Sequence, residues 1–224
     1  MEEGRGGPQK IPRPEQWKPG APAPWAGQNQ RSITLENIET AISTFEPRAN
    51  AGETKDRRRS AVLVPIYFKP QDGLHVILTR RSAMMKHHTH EVSFPGGNKE
   101  PEDKDLWETA VREAHEEIGL DPLLPRRIGS LDSFVTVGSN SLVTPIVATL
   151  DMVPELEANP IEVEEIIHVS LTELFDPAIF REEIWELRDG QTRPVFFFEL
   201  IGNTVWGATA AMLRQFLLIL QASD

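Results

Sequence analysis

Three glutamates stand close together within residues 112–119 (REAHEEIG), and their spacing suits metal chemistry. Glu113, Glu116 and Glu117 follow one another at i, i+3 and i+4, so on a helix their carboxylates share one ridge. Like charges placed in this way repel, at a cost of roughly 0.2–0.5 kcal/mol per pair on a bare helix. A hard divalent cation removes that repulsion and prefers oxygen ligands. The spacing alone favours a solvated acidic helix face, which is common for a glutamate-rich helix.

The residues around the three glutamates favour a functional interpretation. A Gly-Gly turn at residues 96–97 stands upstream, and glycine lets a backbone carbonyl approach a metal or phosphate closely. Arg112 can orient a carboxylate or contact a phosphate through its guanidinium fork. A helix is predicted over about residues 104–118, with Asp103 as its N-cap and Gly119 as its C-cap.

Residues 97–120 resemble the Nudix box, in which a glycine and a spaced acidic residue precede Arg-Glu-(apolar)-x-Glu-Glu-x-Gly-(apolar). The second half of the box, residues 112–120 (REAHEEIGL), matches that pattern completely. The interval from Gly97 to Arg112 is one residue longer than usual, and Asp103 fills the acidic position. The resemblance implies a Nudix hydrolase of the α/β class, with a mixed β-sheet sandwiched between α-helices.

A second resemblance, upstream of the box, is to the coenzyme A pyrophosphatase branch of that family. Residues 78–97 (LTRRSAMMKHHTHEVSFPGG) are similar to its motif of Leu-Thr-x-Arg-Ser, a basic residue, a glycine and Phe-Pro-Gly-Gly. The same branch shares the longer box. His90 stands where the branch motif has glycine. Three later segments fit the branch, so the resemblance extends over about residues 58–220 (142–147, 162–169 and 205–210).

The resemblance implies a Mg²⁺-dependent pyrophosphohydrolase, with Mn²⁺ as an alternative ion. The implied substrate is a small nucleotide-type molecule, coenzyme A or an acyl-coenzyme A, cleaved to a phosphopantetheine and adenosine 3′,5′-bisphosphate. Two alternatives stay open: a Nudix hydrolase for ADP-ribose, NADH or another nucleoside diphosphate derivative, and a catalytically silent Nudix-fold ligand sensor. The intact glutamates argue against the silent sensor.

The same resemblance implies roles for individual residues. The general base is either a glutamate of the box or one of three distant carboxylates, Glu162, Glu164 and Glu165. The remaining roles fall into three sets: catalytic residues Arg112, Glu113, Glu116 and Glu117; metal ligands Glu113, Glu116, Glu117 and the backbone of Gly97; and substrate-binding residues Arg81, Lys86 and His88.

Composition narrows the function further. The chain has 224 residues, 39% of them hydrophobic, which is enough for one sizeable core. A net charge of −11 argues against duplex nucleic acid as a partner, because lysine and arginine must neutralise its phosphates. The lack of cysteine excludes disulfides, thiolate metal sites and a cysteine nucleophile.

Without a secretory signal or a membrane-length apolar run, a soluble cytoplasmic protein with no membrane partner is expected. By analogy with the family, we also expect the protein to form a homodimer.

Three segments are predicted: a Pro/Gly-rich N-terminal arm over 1–31, a helix and polar connector over 32–57, and the Nudix domain over 58–222. Trp17 and Trp25 could pin the arm to the domain or to a second subunit, and a mobile arm is the alternative. Phe196–Phe198 and Trp206 are expected in the core. Strands are predicted at 61–68 (interrupted by Pro65), 74–79, 128–134, 142–150, 166–170, 184–188 and 193–200, and a terminal helix at 209–220.

Overall fold

The computed structural model describes residues 4–28, 33–48, 57–84, 89–136, 140–187 and 189–222. In chain order its elements are β1 (Trp17–Pro19), α1 (Leu35–Thr44), β2 (Arg58–Lys69), β3 (Gly73–Arg81), β4 (Val92–Ser93), β5 (Gly96–Asn98), α2 (Leu106–Ile118), β6 (Arg126–Ser130), β7 (Phe134–Val135), β8 (Ser141–Leu150), β9 (Val163–Ser170), α3 (Leu171–Leu174), β10 (Phe180–Glu186), β11 (Thr192–Leu200), β12 (Asn203–Trp206) and α4 (Gly207–Ala222).

The larger sheet is mixed and is built around β2. Its main path runs β4-β3-β2-β8-β6, with β5 added to β2, β7 to β8 and β9 to β3. β2 and β8 run parallel, whereas the remaining pairs of this sheet are antiparallel. β3 pairs with the last residues of β2, and β5 pairs with its first half, at residues 60–62. This arrangement places the Gly-Gly turn against the central strand.

Helices cover both faces of the larger sheet. On one face α2 buries Ala110, Ala114 and Ile118 against alternate residues of β2, such as Leu63. On the other face α1 and α4 lie together with the smaller sheet and bury side chains such as Phe216. The predicted mixed sheet sandwiched between α-helices is therefore confirmed. None of the helices in the described ranges combines the length and the hydrophobicity that a bilayer crossing requires.

The smaller sheet is antiparallel and includes part of the N-terminal arm. Its order is β1-β10-β11-β12. The β10–β11 pair is the hairpin predicted from the Asp189-Gly190 turn, and β1 extends it by pairing with β10. Trp25 is 4% exposed and stacks on Phe198, with ring centroids 6.0 Å apart. The described part of the arm thus lies against the domain, as one of the two interpretations of Trp17 and Trp25 predicts.

Several element boundaries differ from the predictions. Asp103 does not cap α2; the N-cap is Asp105, whose carboxylate accepts from the Glu108 amide at 2.9 Å. β2 continues through Pro65, because the fixed φ of proline suits an extended chain. The strand predicted over 128–134 is two strands, β6 and β7, which pair with different parts of β8.

Candidate active site

The ends of α2 set the position of its glutamates. Asp105 begins the helix, and Gly119, with a φ of 66°, ends it by donating its N–H to the His115 carbonyl. A left-handed C-cap is readily adopted only by glycine, as predicted for Gly119. The buried stripe of α2 fixes its rotation against the sheet, so that Glu113 and Glu117 face β5.

The two glycines of β5 let three backbone segments meet. The Gly96 amide donates to the Glu117 carboxylate at 3.1 Å. A Cβ at Gly96 would overlap the Ala61 carbonyl oxygen of β2, and a Cβ at Gly97 would overlap the Glu113 carboxylate. Glycine at both positions therefore lets β5 contact β2 on one side and both glutamates on the other.

Burial makes Glu113 and Glu117 unusual carboxylates. Burial, reinforced by the charges of Glu113 and Glu162, raises the pKa of Glu117 to about 8, although the Gly96 amide and Arg81 act in the opposite direction. The pKa of Glu113 is also raised, mainly by burial, with Arg112 opposing. Two desolvated carboxylates next to each other favour uptake of a proton or a cation.

Arg112 ties the loop before α2 to the helix. Its Nε donates to Asp103 Oδ1 at 3.0 Å and its Nη2 to Asp103 Oδ2 at 3.1 Å, the two-pronged geometry of an arginine–carboxylate pair. Hydrogen bonds from Arg112, and further ones from the Glu100 amide and the Thr109 hydroxyl, hold the pKa of Asp103 well below its usual range. Asp103 therefore anchors Arg112 rather than capping the helix.

The structure brings together only some of the predicted site residues. Glu113 and Glu117 adjoin β5, whereas Glu116 is 52% exposed and pairs with Arg112 at 3.0 Å. Across the described ranges, no three histidine, aspartate or glutamate side chains converge into a group able to hold an ion. Lys86 and His88 lie outside the described residues.

The three distant carboxylates have different surroundings. Only Glu162 acts electrostatically on both Glu113 and Glu117. Glu164 and Glu165 instead pair with Arg80, at 3.4 Å and 2.7 Å.

His90 adopts the backbone conformation expected for a glycine. Its φ is 60°, in the left-handed region that side chains other than glycine rarely enter. Its imidazole Nδ1 lies 2.7 Å from the Glu164 carboxylate, a contact that a glycine could not make. Histidine at position 90 therefore keeps the left-handed backbone that a glycine would adopt, and its side chain adds a contact to Glu164 of β9.

A cavity of about 570 Å³ opens beside β5. Its wall includes Arg81 and the two glycines of β5, Gly96 and Gly97, which also lie against Glu117 and Glu113 of α2. Phe197 and Phe198 are buried in the core as predicted, but Phe196 and Trp206 are half-buried and line this cavity.

The sequence also matches a known family model. The NUDIX domain model covers residues 57–189, which include the whole arrangement of β5 and α2. The chain belongs to the Nudix family. An uncharacterized Nudix hydrolase, NudL, from Photorhabdus laumondii is 38% identical over 183 residues, covering 82% of this chain and 96% of that protein. NudL from Pectobacterium atrosepticum is 37% identical, covering 75% and 84%. A solved MutT/nudix protein from Enterococcus faecalis shares 15% identity at a TM-score of 0.47, covering 85% and 71%.

Membership makes this chain a Nudix hydrolase, and Nudix hydrolases act on small nucleotide derivatives and generally use divalent metal ions. The donor set of this chain fits such an ion. Glu113 and Glu117 are desolvated carboxylates that repel each other, and the pKa of each is raised, so a hard cation would relieve both effects. Gly97 leaves room beside the Glu113 carboxylate where a larger residue would intrude.

Proposed function

We propose that this Nudix hydrolase cleaves the diphosphate of coenzyme A or an acyl-coenzyme A, giving a phosphopantetheine and adenosine 3′,5′-bisphosphate. The observation that carries the hydrolytic part is the desolvated pair Glu113 and Glu117, placed behind a glycine strand that also forms the wall of a cavity. The choice of coenzyme A is supported by the resemblance of residues 78–97 to the motif of that branch.

We propose Mg²⁺ as the metal, with Mn²⁺ as the alternative. Glu113, Glu117 and the backbone carbonyl of Gly97 are the proposed ligands. Glu116 is a fourth, which would exchange its contact with Arg112 for the ion. When bound, the ion neutralises diphosphate oxygens and lowers the pKa of water.

The chain itself supplies the remaining functions. Arg81 lines the cavity and acts electrostatically on Glu117, which supports a role for its guanidinium in binding the diphosphate. Glu162 is the proposed general base, because it is the distant carboxylate that acts electrostatically on both Glu113 and Glu117. Arg112 positions the glutamates through its anchor on Asp103. Lys86 and His88 remain proposed substrate contacts on the basis of the motif.

A second candidate substrate class is ADP-ribose, NADH or another nucleoside diphosphate derivative. The observation that favours it is His90, whose imidazole occupies space that the branch motif leaves to a glycine, next to the motif's basic segment. The carboxylate site of this candidate is the same, so the two differ only in the group that the cavity accepts.

One experiment tests the reaction and the substrate together. Purified protein is incubated with coenzyme A, ADP-ribose, NADH and diadenosine polyphosphates, each with Mg²⁺ and with EDTA, and products are separated by chromatography. We expect coenzyme A to be cleaved with Mg²⁺ and not with EDTA. Glu117→Gln should lower kcat at least 100-fold while keeping the fold, whereas Glu155→Gln, at an exposed glutamate, should have wild-type activity.

Two outcomes contradict the proposal at different levels. Cleavage of ADP-ribose without cleavage of coenzyme A would replace the substrate but keep the hydrolase. Near-normal turnover by Glu117→Gln would remove Glu117 from the ligand set. A cytoplasmic location is part of the proposal, and light scattering measures the homodimer predicted from family analogy.

A further inference from the structure

The cavity beside β5 is positively charged, although the chain as a whole carries a net charge of −11. Arg58, Arg81 and Arg193 line it, and Glu91 is the single carboxylate among its described lining residues. Within the ranges that the structure describes, none of the three arginines forms a salt bridge. The Nε atoms of Arg81 and Arg193 are buried without a hydrogen-bond partner. A buried guanidinium donor without a partner favours an anionic ligand.

The same cavity has flat aromatic walls. Phe134, Phe196 and Trp206 are half-buried and line it, and Trp185 closes one side with its indole N–H donating to Glu183. Aromatic side chains can stack on nucleobases, whichever base is bound; Phe134 and Trp206 are the candidates here, because the Phe196 ring already contacts Phe180 and Arg214. A volume of about 570 Å³ lies within the usual range for a small-molecule site.

The arginines occupy two positions relative to the carboxylates of α2. Arg81, on β3, acts on Glu117 and so belongs with the diphosphate. Arg58 begins β2 and Arg193 lies on β11 in the smaller sheet, where its neighbour on β10 is Trp185. A ligand that places its diphosphate beside Arg81 can contact Arg58 and Arg193 through a further phosphate.

We propose that this cavity binds the nucleotide half of the substrate and that Arg58 and Arg193 contact a phosphate on its ribose. In coenzyme A that group is the 3′-phosphate of adenosine. Adenine then stacks on the aromatic walls, and the two arginines make the enzyme select substrates that carry the ribose phosphate. The inference rests on the proposed function and adds the residues that determine specificity.

Binding measurements with the reaction product test this assignment without turnover. Calorimetry in EDTA compares adenosine 3′,5′-bisphosphate with adenosine 5′-monophosphate. We expect the wild-type protein to bind the bisphosphate at least tenfold more tightly. Arg58→Gln and Arg193→Gln should each reduce that ratio to less than threefold. Arg127→Gln is the matched control, because it removes an exposed arginine outside the cavity and should keep the wild-type ratio.

A kinetic comparison adds a second readout. The wild-type ratio of kcat/KM for coenzyme A over dephospho-coenzyme A should be at least tenfold, and it should fall in both cavity variants. Equal binding of the two nucleotides by the wild type would overturn the inference, and a wild-type ratio in either variant would remove that arginine from it. Failure to cleave coenzyme A at all would instead refute the proposed function, so the two failures are distinguishable.

Discussion

Neighbouring glutamates on α2 have opposite environments. Glu116 is half exposed and accepts from Arg112, whereas Glu117 is 6% exposed and accepts from the Gly96 amide. Their side chains differ only in where the helix directs them, since one residue on a helix is a rotation of about 100°. Burial raises the pKa of Glu117 to about 8, which is near neutrality and supports its proposed role at the metal site.

This pKa predicts how the metal-free protein responds to pH. Glu117 titrates near 8 in the folded chain, against an ordinary value of 4.5, so between these pH values the folded state holds a proton that the unfolded state has lost. The contribution of Glu117 to stability is therefore greatest at low pH and falls as the pH rises towards 8. In EDTA, urea unfolding should show a free energy of unfolding about 2–3 kcal/mol lower at pH 8 than at pH 5.5 from this group.

Glu117→Gln is the comparison for that measurement, because glutamine does not titrate. The variant should lack this part of the pH dependence, with the other titrating groups contributing equally to both proteins. Parallel pH profiles for the two proteins would show that the folded state does not hold Glu117 protonated.

Two aspartates before α2 stabilise this helix and its connection to β5 in different ways. Asp105 caps the helix through one backbone hydrogen bond. Asp103 is buried, and it joins the loop of residues 98–103 to Arg112 and Thr109 of the helix. Asp105 thus stabilises the start of the helix, whereas Asp103 fixes the position of the loop between β5 and α2.

Removing each aspartate should therefore have a different effect. Asp105→Ala loses an N-cap and should lower the free energy of unfolding by about 1 kcal/mol. Asp103→Ala leaves the partly buried Arg112 without its main partner and should lower it by about 2–3 kcal/mol. Urea denaturation at pH 7 measures both. If Asp105→Ala lowered the free energy of unfolding more than Asp103→Ala, the N-cap would contribute more to stability than the Asp103–Arg112 pair.

At the scale of the whole molecule, the described part of the N-terminal arm completes the smaller sheet. β1 adds an edge strand to β10, and Trp25 fills a pocket formed by Phe175, Phe180 and Phe198. The arm also contributes Arg13, which pairs with the buried Glu183 at 2.5 Å. Because β10 and β11 carry cavity residues, the arm supports the wall of the proposed substrate site.

The two tryptophans of the arm offer a matched pair of variants. Trp25→Ala should lower the free energy of unfolding by about 3–5 kcal/mol, because a large buried side chain is lost from the core. Trp17 is 42% exposed and contacts mainly Arg13, so Trp17→Ala should cost less than about 1 kcal/mol. Thermal and urea unfolding measure both changes. Equal, small losses would mean that the arm does not pack on the domain in solution.

The sequence by itself determined the features that depend on local spacing. The i, i+3, i+4 glutamates and the glycine C-cap located α2, because helix geometry and glycine conformation are set by neighbouring residues. The family came from the resemblance of residues 97–120 to the Nudix box. Alternating apolar residues likewise located most strands and the β10–β11 hairpin. His90 could be marked as a departure from a glycine position before its left-handed φ was known.

Only the tertiary structure decided the features that depend on contacts between distant segments. It assigned Asp103 to Arg112, separated buried Glu117 from exposed Glu116, and brought Glu162 close enough to act electrostatically on Glu117. It also joined Arg58 and Arg193, more than a hundred residues apart, in one cavity with Trp206. Desolvation and charge coupling depend on what packs around a side chain, and no spacing within a single segment specifies that.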